Sequence, residues 1–275
     1  MKKIVAIAAL VALVSCAPKA QHHLTILHVN DTHSHFEPIR SGDDVGTGGL
    51  IERAAYVDSV RKADGAENVL LLHGGDFSQG SVYFSEYGGL LEAKALNLMG
   101  YDAVTLGNHE FDNGIEGLER VIPQIQVPVV ACNLDFSPFS FGQYIKPYVI
   151  VEKAGLKIGI IGVVCRLFDV VSAETANRIP EYDIVETVQK YADQLRQECD
   201  LVIALTHIGY TEHNVGAITD PLLVSQTRGL DLVVGGHSHS YMSAPDYVPN
   251  LDGKKIPVVQ AGFAGSYMGE FHISL

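Results

Sequence analysis

Leu24-Thr25-Ile26-Leu27-His28-Val29 runs without a break into Asn30-Asp31-Thr32-His33-Ser34-His35. The first six residues are of strand length and mostly apolar, a continuous run of the kind that suits a strand covered on both faces. The next six are polar and rich in oxygen and nitrogen donors. Further apolar runs rich in Val, Ile and Leu lie at residues 69–72, 103–106, 127–131, 157–164, 201–205 and 232–234. Between several of them, helical spacing covers residues 50–61, 84–99, 115–125 and 184–197. This repeated strand, loop, helix order predicts a largely parallel α/β sheet, which binds its ligands beyond the carboxyl ends of its strands. After Tyr241 the chain is punctuated by Gly, Pro and Asn, and two short runs at 256–260 and 267–274 predict antiparallel strands that finish the sheet.

Polar clusters follow five of the runs: the one at Asn30, then Gly74-Gly75-Asp76, Gly107-Asn108-His109-Glu110, Thr206-His207 and Gly235-Gly236-His237-Ser238-His239. Just past a strand the chain can turn so that Asp31 and His33 face one centre, and the glycines permit tight turns that bring backbone close to a ligand. Asp31, His33, Asp76, Asn108, His207, His237 and His239 together offer enough donors for two divalent ions. Two ions roughly 3.5–4 Å apart clamp the attacking and leaving oxygens of phosphoryl transfer. Imidazole, carboxylate and amide donors without thiolate suit Zn, Mn, Fe, Co or Ni. Each oxygen of Asp76 can take one ion, so this carboxylate can bridge. Singly, each cluster has an ordinary explanation: a turn or cap residue at Asp31, a hydrogen-bonded His207, a solvated His237 and His239 pair, a turn into a helix at Asn108. Together those explanations require the same coincidence after five runs.

A chain of 275 residues with 47% hydrophobic and 19% charged residues has ample material for one core, which excludes global disorder. Its net charge of -13, with no basic run, excludes a nucleic-acid polymer as partner, while bound cations can still make a local site for a small anion. Lys2 and Lys3 precede an apolar run of 11 residues at 4–14, too short to span a bilayer and fitting a signal peptide. Leu13-Val14-Ser15-Cys16 resembles the lipobox of bacterial lipoproteins. The expected organisation is a signal peptide at 1–15, a lipidated Cys16 with a tether to residue 22, and one domain at 23–275. The expected location is that of an exported lipoprotein, periplasmic or at the cell surface, held to the membrane through Cys16. Cys132 and Cys165 fall in apolar runs and are expected to be buried; with Cys199 they leave at least one free thiol.

The clusters, in this order, resemble the calcineurin-like metallophosphoesterase superfamily, and within it the 5'-nucleotidase/UDP-sugar hydrolase branch. The residues that carry the resemblance are Asp31-Thr32-His33, Gly75-Asp76 followed by Phe77-Ser78-Gln79-Gly80-Ser81, Gly107-Asn108-His109-Glu110-Phe111-Asp112, Thr206-His207, Gly236-His237-Ser238-His239 and the late Ala261-Gly262-Phe263-Ala264-Gly265. The resemblance implies a four-layer α/β/β/α sandwich with a dinuclear centre: Asp31, His33 and His239 on one divalent ion, Asn108, His207 and His237 on the other, and Asp76 between. It implies 5'-nucleotidase-type hydrolysis by a metal-bound water, with no covalent enzyme intermediate. His109 would reach the phosphoryl or leaving-group oxygen while Asp112 fixes its tautomer and charge. The same machinery serves a cyclic-nucleotide phosphodiesterase or a UDP-sugar pyrophosphatase; a surface lipoprotein that binds metal or a partner without catalysis is the alternative of another class. Two-domain 5'-nucleotidases hold the nucleoside mostly with a C-terminal domain, so the resemblance also raises a separate chain that supplies one.

Overall fold

The apolar runs become strands of two sheets rather than one. The computed structural model describes residues 22–212 and 215–275, so the expected signal peptide, Cys16 and all of the tether except His22 lie outside the described residues. In chain order, β1 (His23–Val29), β2 (Val69–His73), β3 (Ala103–Thr105), β4 (Val129–Val130) and β5 (Ile145–Lys146) pair in parallel. The second sheet takes β6 (Tyr148–Lys153), β7 (Leu156–Val164), β8 (Leu201–His207), β9 (Leu232–Val234), β10 (Asp246–Pro249) and β11 (Lys255–Val259). Finally β12 (Gly269–Ser274) returns to the first sheet, antiparallel to β1. The orders are β12-β1-β2-β3-β4-β5 and β10-β11-β9-β8-β7-β6.

Successive side chains of a strand point to opposite faces, and here both faces are apolar. Leu24, Ile26, Leu70 and Leu72 of the first sheet meet Ile158, Ile160, Ile203, Leu205, Leu232 and Val234 of the second in one core cluster between the sheets. The residues of opposite parity, Leu27, Val29, Leu71, Ile161, Val163, Val202 and Val233, pack instead with helical residues such as Val57, Leu96, Leu118, Val188, Leu195 and Leu223. Those belong to α1 (Leu50–Asp64), α3 (Leu90–Met99), α4 (Gly114–Val121), α6 (Ile184–Leu195) and α7 (Asp220–Ser225), with short helices α2 (Val82–Tyr87) and α5 (Ala173–Ala176) beside them. Helix, sheet, sheet, helix is the four-layer arrangement that the resemblance implies. Among the described residues no helix is long and apolar enough to cross a membrane.

Three expectations change. The single helix over 84–99 is two, because Gly88 and Gly89 between them adopt left-handed backbone with φ of 55° and 96°. The helix over 115–125 ends at Val121 and tightens into a 3-10 turn, Ile122–Gln124, at Pro123, which has no N–H with which to continue the ladder. The last strands do not finish one sheet: β11 is parallel to β9, while β12 lies in the other sheet. A short apolar run carries no information about its partner, and β6 and β10, half-exposed strands at the edges of the second sheet, have weaker apolar patterns still. Cys132 and Cys165 are buried and Cys199 is partly buried, all three as free thiols.

Candidate metal centre

Parallel pairing delivers the carboxyl ends of β1, β2 and β3 to one end of the first sheet, and those of β8 and β9 to the matching end of the second. The ends are tied by backbone: Gly74 N–H donates to Val29 O at 2.8 Å and Asp31 N–H to Gly75 O at 2.9 Å. The two sheets meet where His237 N–H donates to the Asp31 carboxylate at 3.0 and 3.2 Å. Gly236 permits this approach, since a Cβ there would lie 2.5 Å from Gly74 O and 2.8 Å from His207 Nδ1. Five of the seven candidate ligands, Asp31, His33, Asp76, His237 and His239, have positive φ, between 44° and 78°. Non-glycine residues in such conformations cost about 1–3 kcal/mol each and cluster where function requires it.

The result is a buried knot of carboxylates and imidazoles. Asp31, His33, Asp76, Asn108 and His207 are buried, His237 is half-buried, and His239 opens to solvent. Asp31 Oδ1 lies 3.3 Å from His239 Nε2, 3.8 Å from His33 Nε2 and 3.9 Å from His207 Nε2. Asp76 Oδ2 sits between imidazoles of the two sheets, 3.7 Å from His33 Nε2 and 3.1 Å from His207 Nε2. The Nε2 atoms of His33 and His239 face each other at 3.2 Å. That spacing is close to the edge, about 3.4 Å, of a tetrahedron with metal–nitrogen bonds of about 2.1 Å. The His237 ring lies 5.1 Å from that of His207, and Asn108 ends β3's loop with its amide oxygen 3.9 Å from Cys165 Sγ.

These groups fit a cation. His207 donates from Nδ1 to Gly74 O at 2.7 Å, so Nε2 is the buried atom turned to the carboxylates, 3.1 Å from Asp76 Oδ2. Burial lowers the pKa of His207, but the charges of Asp76 and Asp31 overcome that and drive it up to about 10. A proton is drawn to the place where positive charge is needed. Burial raises the Asp76 pKa, and the His207 charge outweighs it so that the carboxyl stays well below its usual range. Three donor sets converge closely enough to hold an ion: Asp31 with His33 and His239, His33 with Asp76 and His109, and Asp31 with Asp76 and His207.

His109 stands at the rim, its ring 5.2 Å from that of His33 and its side chain 32% exposed. Its backbone N–H donates to Asp76 Oδ1 at 2.9 Å, and its Nδ1 pairs with Asp112 Oδ2 at 2.9 Å. The Asp112 hydrogen bond raises the His109 pKa against the effect of burial. His35 bonds its own loop, Nδ1 to His33 O at 2.9 Å.

Several further residues support the candidate ligands without being candidate ligands themselves. Buried Glu110 accepts from Gly107 N at 2.6 Å, Asp76 N at 3.0 Å and Ser78 N at 2.9 Å, locking two loops together. Asn30 donates to Asp31 Oδ2 at 2.6 Å and Gly262 O at 2.8 Å, and accepts from Ala261 N at 2.8 Å. Gln260 shapes the histidine loop by donating to Gly236 O at 2.8 Å and accepting from Ser238 Oγ at 3.0 Å. Phe263 lies over the centre, its ring 4.5 Å from that of His239 and 5.0 Å from that of His33. Each lies beside a cluster or just after a strand, but a lone Asn, Gln or Phe there reads as packing. Phe136, by contrast, is core, stacked on Phe111.

Comparison with known proteins identifies the family. The calcineurin-like phosphoesterase family model matches residues 24–241. The 5'-nucleotidase of Rattus norvegicus is 35% identical over 289 residues, covering 95% of this chain and 48% of the relative. The human 5'-nucleotidase is 34% identical, covering 91% and 46%. Among solved structures, the 5'-nucleotidase precursor from Thermus thermophilus superposes with a TM-score of 0.79 at 31% identity, over 91% of this chain and 51% of that one. A calcineurin-like phosphoesterase from Bacillus subtilis superposes with a TM-score of 0.74 at 27% identity, over 93% and 86%. The chain thus spans about half the length of the curated relatives it matches. With the four layers, the clusters at the strand ends and the family match in agreement, the chain belongs to the calcineurin-like phosphoesterases, a family of metal-dependent phosphoester hydrolases.

Proposed function

We propose that this chain is a 5'-nucleotidase-type catalytic domain, over residues 23–275, that hydrolyses nucleoside 5'-monophosphates with two divalent ions. Asp31, His33 and His239 would hold one ion, Asn108, His207 and His237 the other, and Asp76 would bridge. The observation that carries the reading is the position of Asp76 Oδ2, within 3.7 Å of an imidazole from each sheet. Ions bound there supply an activated water and offset charge on the phosphoryl oxygens.

The protein's own part is orientation and proton placement. Asp112 pairs with Nδ1 of His109 and favours the charged ring, the form whose Nε2–H would donate to the phosphoryl or departing oxygen. Glu110 fixes the loops that carry Asp76 and His109. Beside His237 opens a cavity of about 410 Å³ lined in part by Ile208, Tyr182 and Arg166, with room for a leaving group. The leader expected at 1–15 and the lipobox-like Leu13-Val14-Ser15-Cys16 would make this an exported, membrane-anchored enzyme that recovers phosphate or nucleosides outside the cytoplasm.

The test is a panel of AMP, UDP-glucose, a cyclic nucleotide and a simple phosphomonoester, assayed before and after chelation. AMP should be the preferred substrate, with activity lost on chelation and restored by Mn, Co or Zn. Turnover that survives complete metal removal would reject the mechanism, and preference for UDP-glucose or the cyclic nucleotide would reassign the leaving group.

A further inference from the structure

At the amino end of β1, remote from the strand ends that form the centre, His23, Asp64 and His272 each bring one donor atom within 4.8 Å of the other two. We propose that this triad is a separate divalent-metal site of the zinc, nickel or copper class. Thr25 pairs with His272 and His23 with Ser274 across the β1–β12 ladder, which places all four side chains on one face of the sheet. Leu24 and Ile26 fill the space between the sheets, so this is the face turned to α1, and Asp64 is the last residue of that helix. From Thr25 to Asp31 the strand covers roughly 20 Å. The two sets of donors are therefore independent.

The donors are arranged as a metal requires. The second nitrogen of a ligating histidine is generally held by a carboxylate, which fixes the tautomer. His272 has that arrangement: Nε2 lies 2.9 Å from Glu270 Oε1, and Glu270 is itself anchored by the Tyr56 hydroxyl. Nδ1 of His272 lies 3.2 Å from Thr25 Oγ1, and the same hydroxyl donates to Asp64 Oδ2 at 2.6 Å, so the imidazole nitrogen and the carboxylate share one small space. With the proton held on Nε2 by Glu270, a bound ion would take the place of the proton on Nδ1. The His23 ring stacks on that of His272 with centroids 5.5 Å apart and planes 13° from parallel. Donors about 2 Å from a tetrahedral ion are separated by roughly 3.4 Å, so closure needs a shift of about 1 Å in side chains of which both histidines are exposed. Two imidazoles and one carboxylate match zinc, nickel or copper better than magnesium or calcium. An ion held there would fasten β1, β12 and the end of α1 to one another.

The test measures bound Zn²⁺ by mass spectrometry after equilibrium dialysis of the full chain against buffered zinc. Wild type should carry one equivalent more than His23→Gln and one more than His272→Gln, with circular dichroism and turnover of both variants unchanged. Glu270→Gln keeps all three ligands and loses only the carboxylate behind His272, so its zinc affinity at this site should fall about 10–100-fold. Equal stoichiometry in wild type and both histidine variants, or unchanged affinity in Glu270→Gln, would overturn the proposal. The readout is independent of hydrolysis, so it succeeds or fails whatever the substrate of the main centre.

Discussion

Replacing Asn30 by Ala should weaken the fold and the metal centre together. The side chain is fully buried and makes three hydrogen bonds: to the Asp31 carboxylate at 2.6 Å, to Gly262 O at 2.8 Å and from Ala261 N at 2.8 Å. A bond to a charged group contributes about 1.5–3 kcal/mol and a neutral one about 1 kcal/mol, so the expected loss is about 3–5 kcal/mol. Total stabilities are about 5–15 kcal/mol, which makes this a large share. Urea unfolding of metal-free protein, followed by circular dichroism, should show the midpoint falling by more than about 1 M. Metal titration should show affinity reduced by about 10-fold or more, because Asp31 loses the donor that orients it. Asn30→Asp keeps the shape but sets a second carboxylate against Asp31, and should be at least as damaging at neutral pH. A midpoint within about 0.2 M of wild type, with unchanged metal uptake, would refute the idea that Asn30 joins Asp31 to the segment at 261–262.

His109→Ala should lower turnover by about 10²–10⁴-fold while metal content stays at the wild-type level; loss of metal with the ring would make it a ligand instead. Asp220 gives a pH signature, since burial pushes its carboxyl up to about 7 against the opposing Thr206 hydrogen bond and His207 charge. Its folded pKa exceeds the unfolded one, so its contribution to stability is complete below about pH 4 and is lost as pH rises to 7, by about 1.4 kcal/mol per unit. In metal-free protein, Asp220→Asn should accordingly gain stability relative to wild type across pH 4–7 and run parallel to it above; parallel curves throughout would show that Asp220 ionises normally.

Much of the centre was legible because its chemistry is written locally. An apolar run followed by Gly, Asp, Asn or His is a short-range pattern, and the five clusters contain all seven candidate ligands together with His109. The helix break at Gly88-Gly89 was equally local, and lay hidden because apolar spacing continues through it into α3. Gln260 was illegible for another reason. Its importance lies in the backbone group it meets, Gly236, and it reaches that group only because β11 pairs with β9.

The sequence alone determined the strand runs, the alternation with helices, the donor types and the family, since each depends on residues close together in the chain or on their order. Only the tertiary structure decided that the runs divide between two sheets, that Asp76 stands between their imidazoles, and that His23 and His272 share one face with Asp64. Those facts depend on pairing and packing across more than 200 positions in the case of His23 and His272, and local periodicity holds no record of which distant strand a given strand will join.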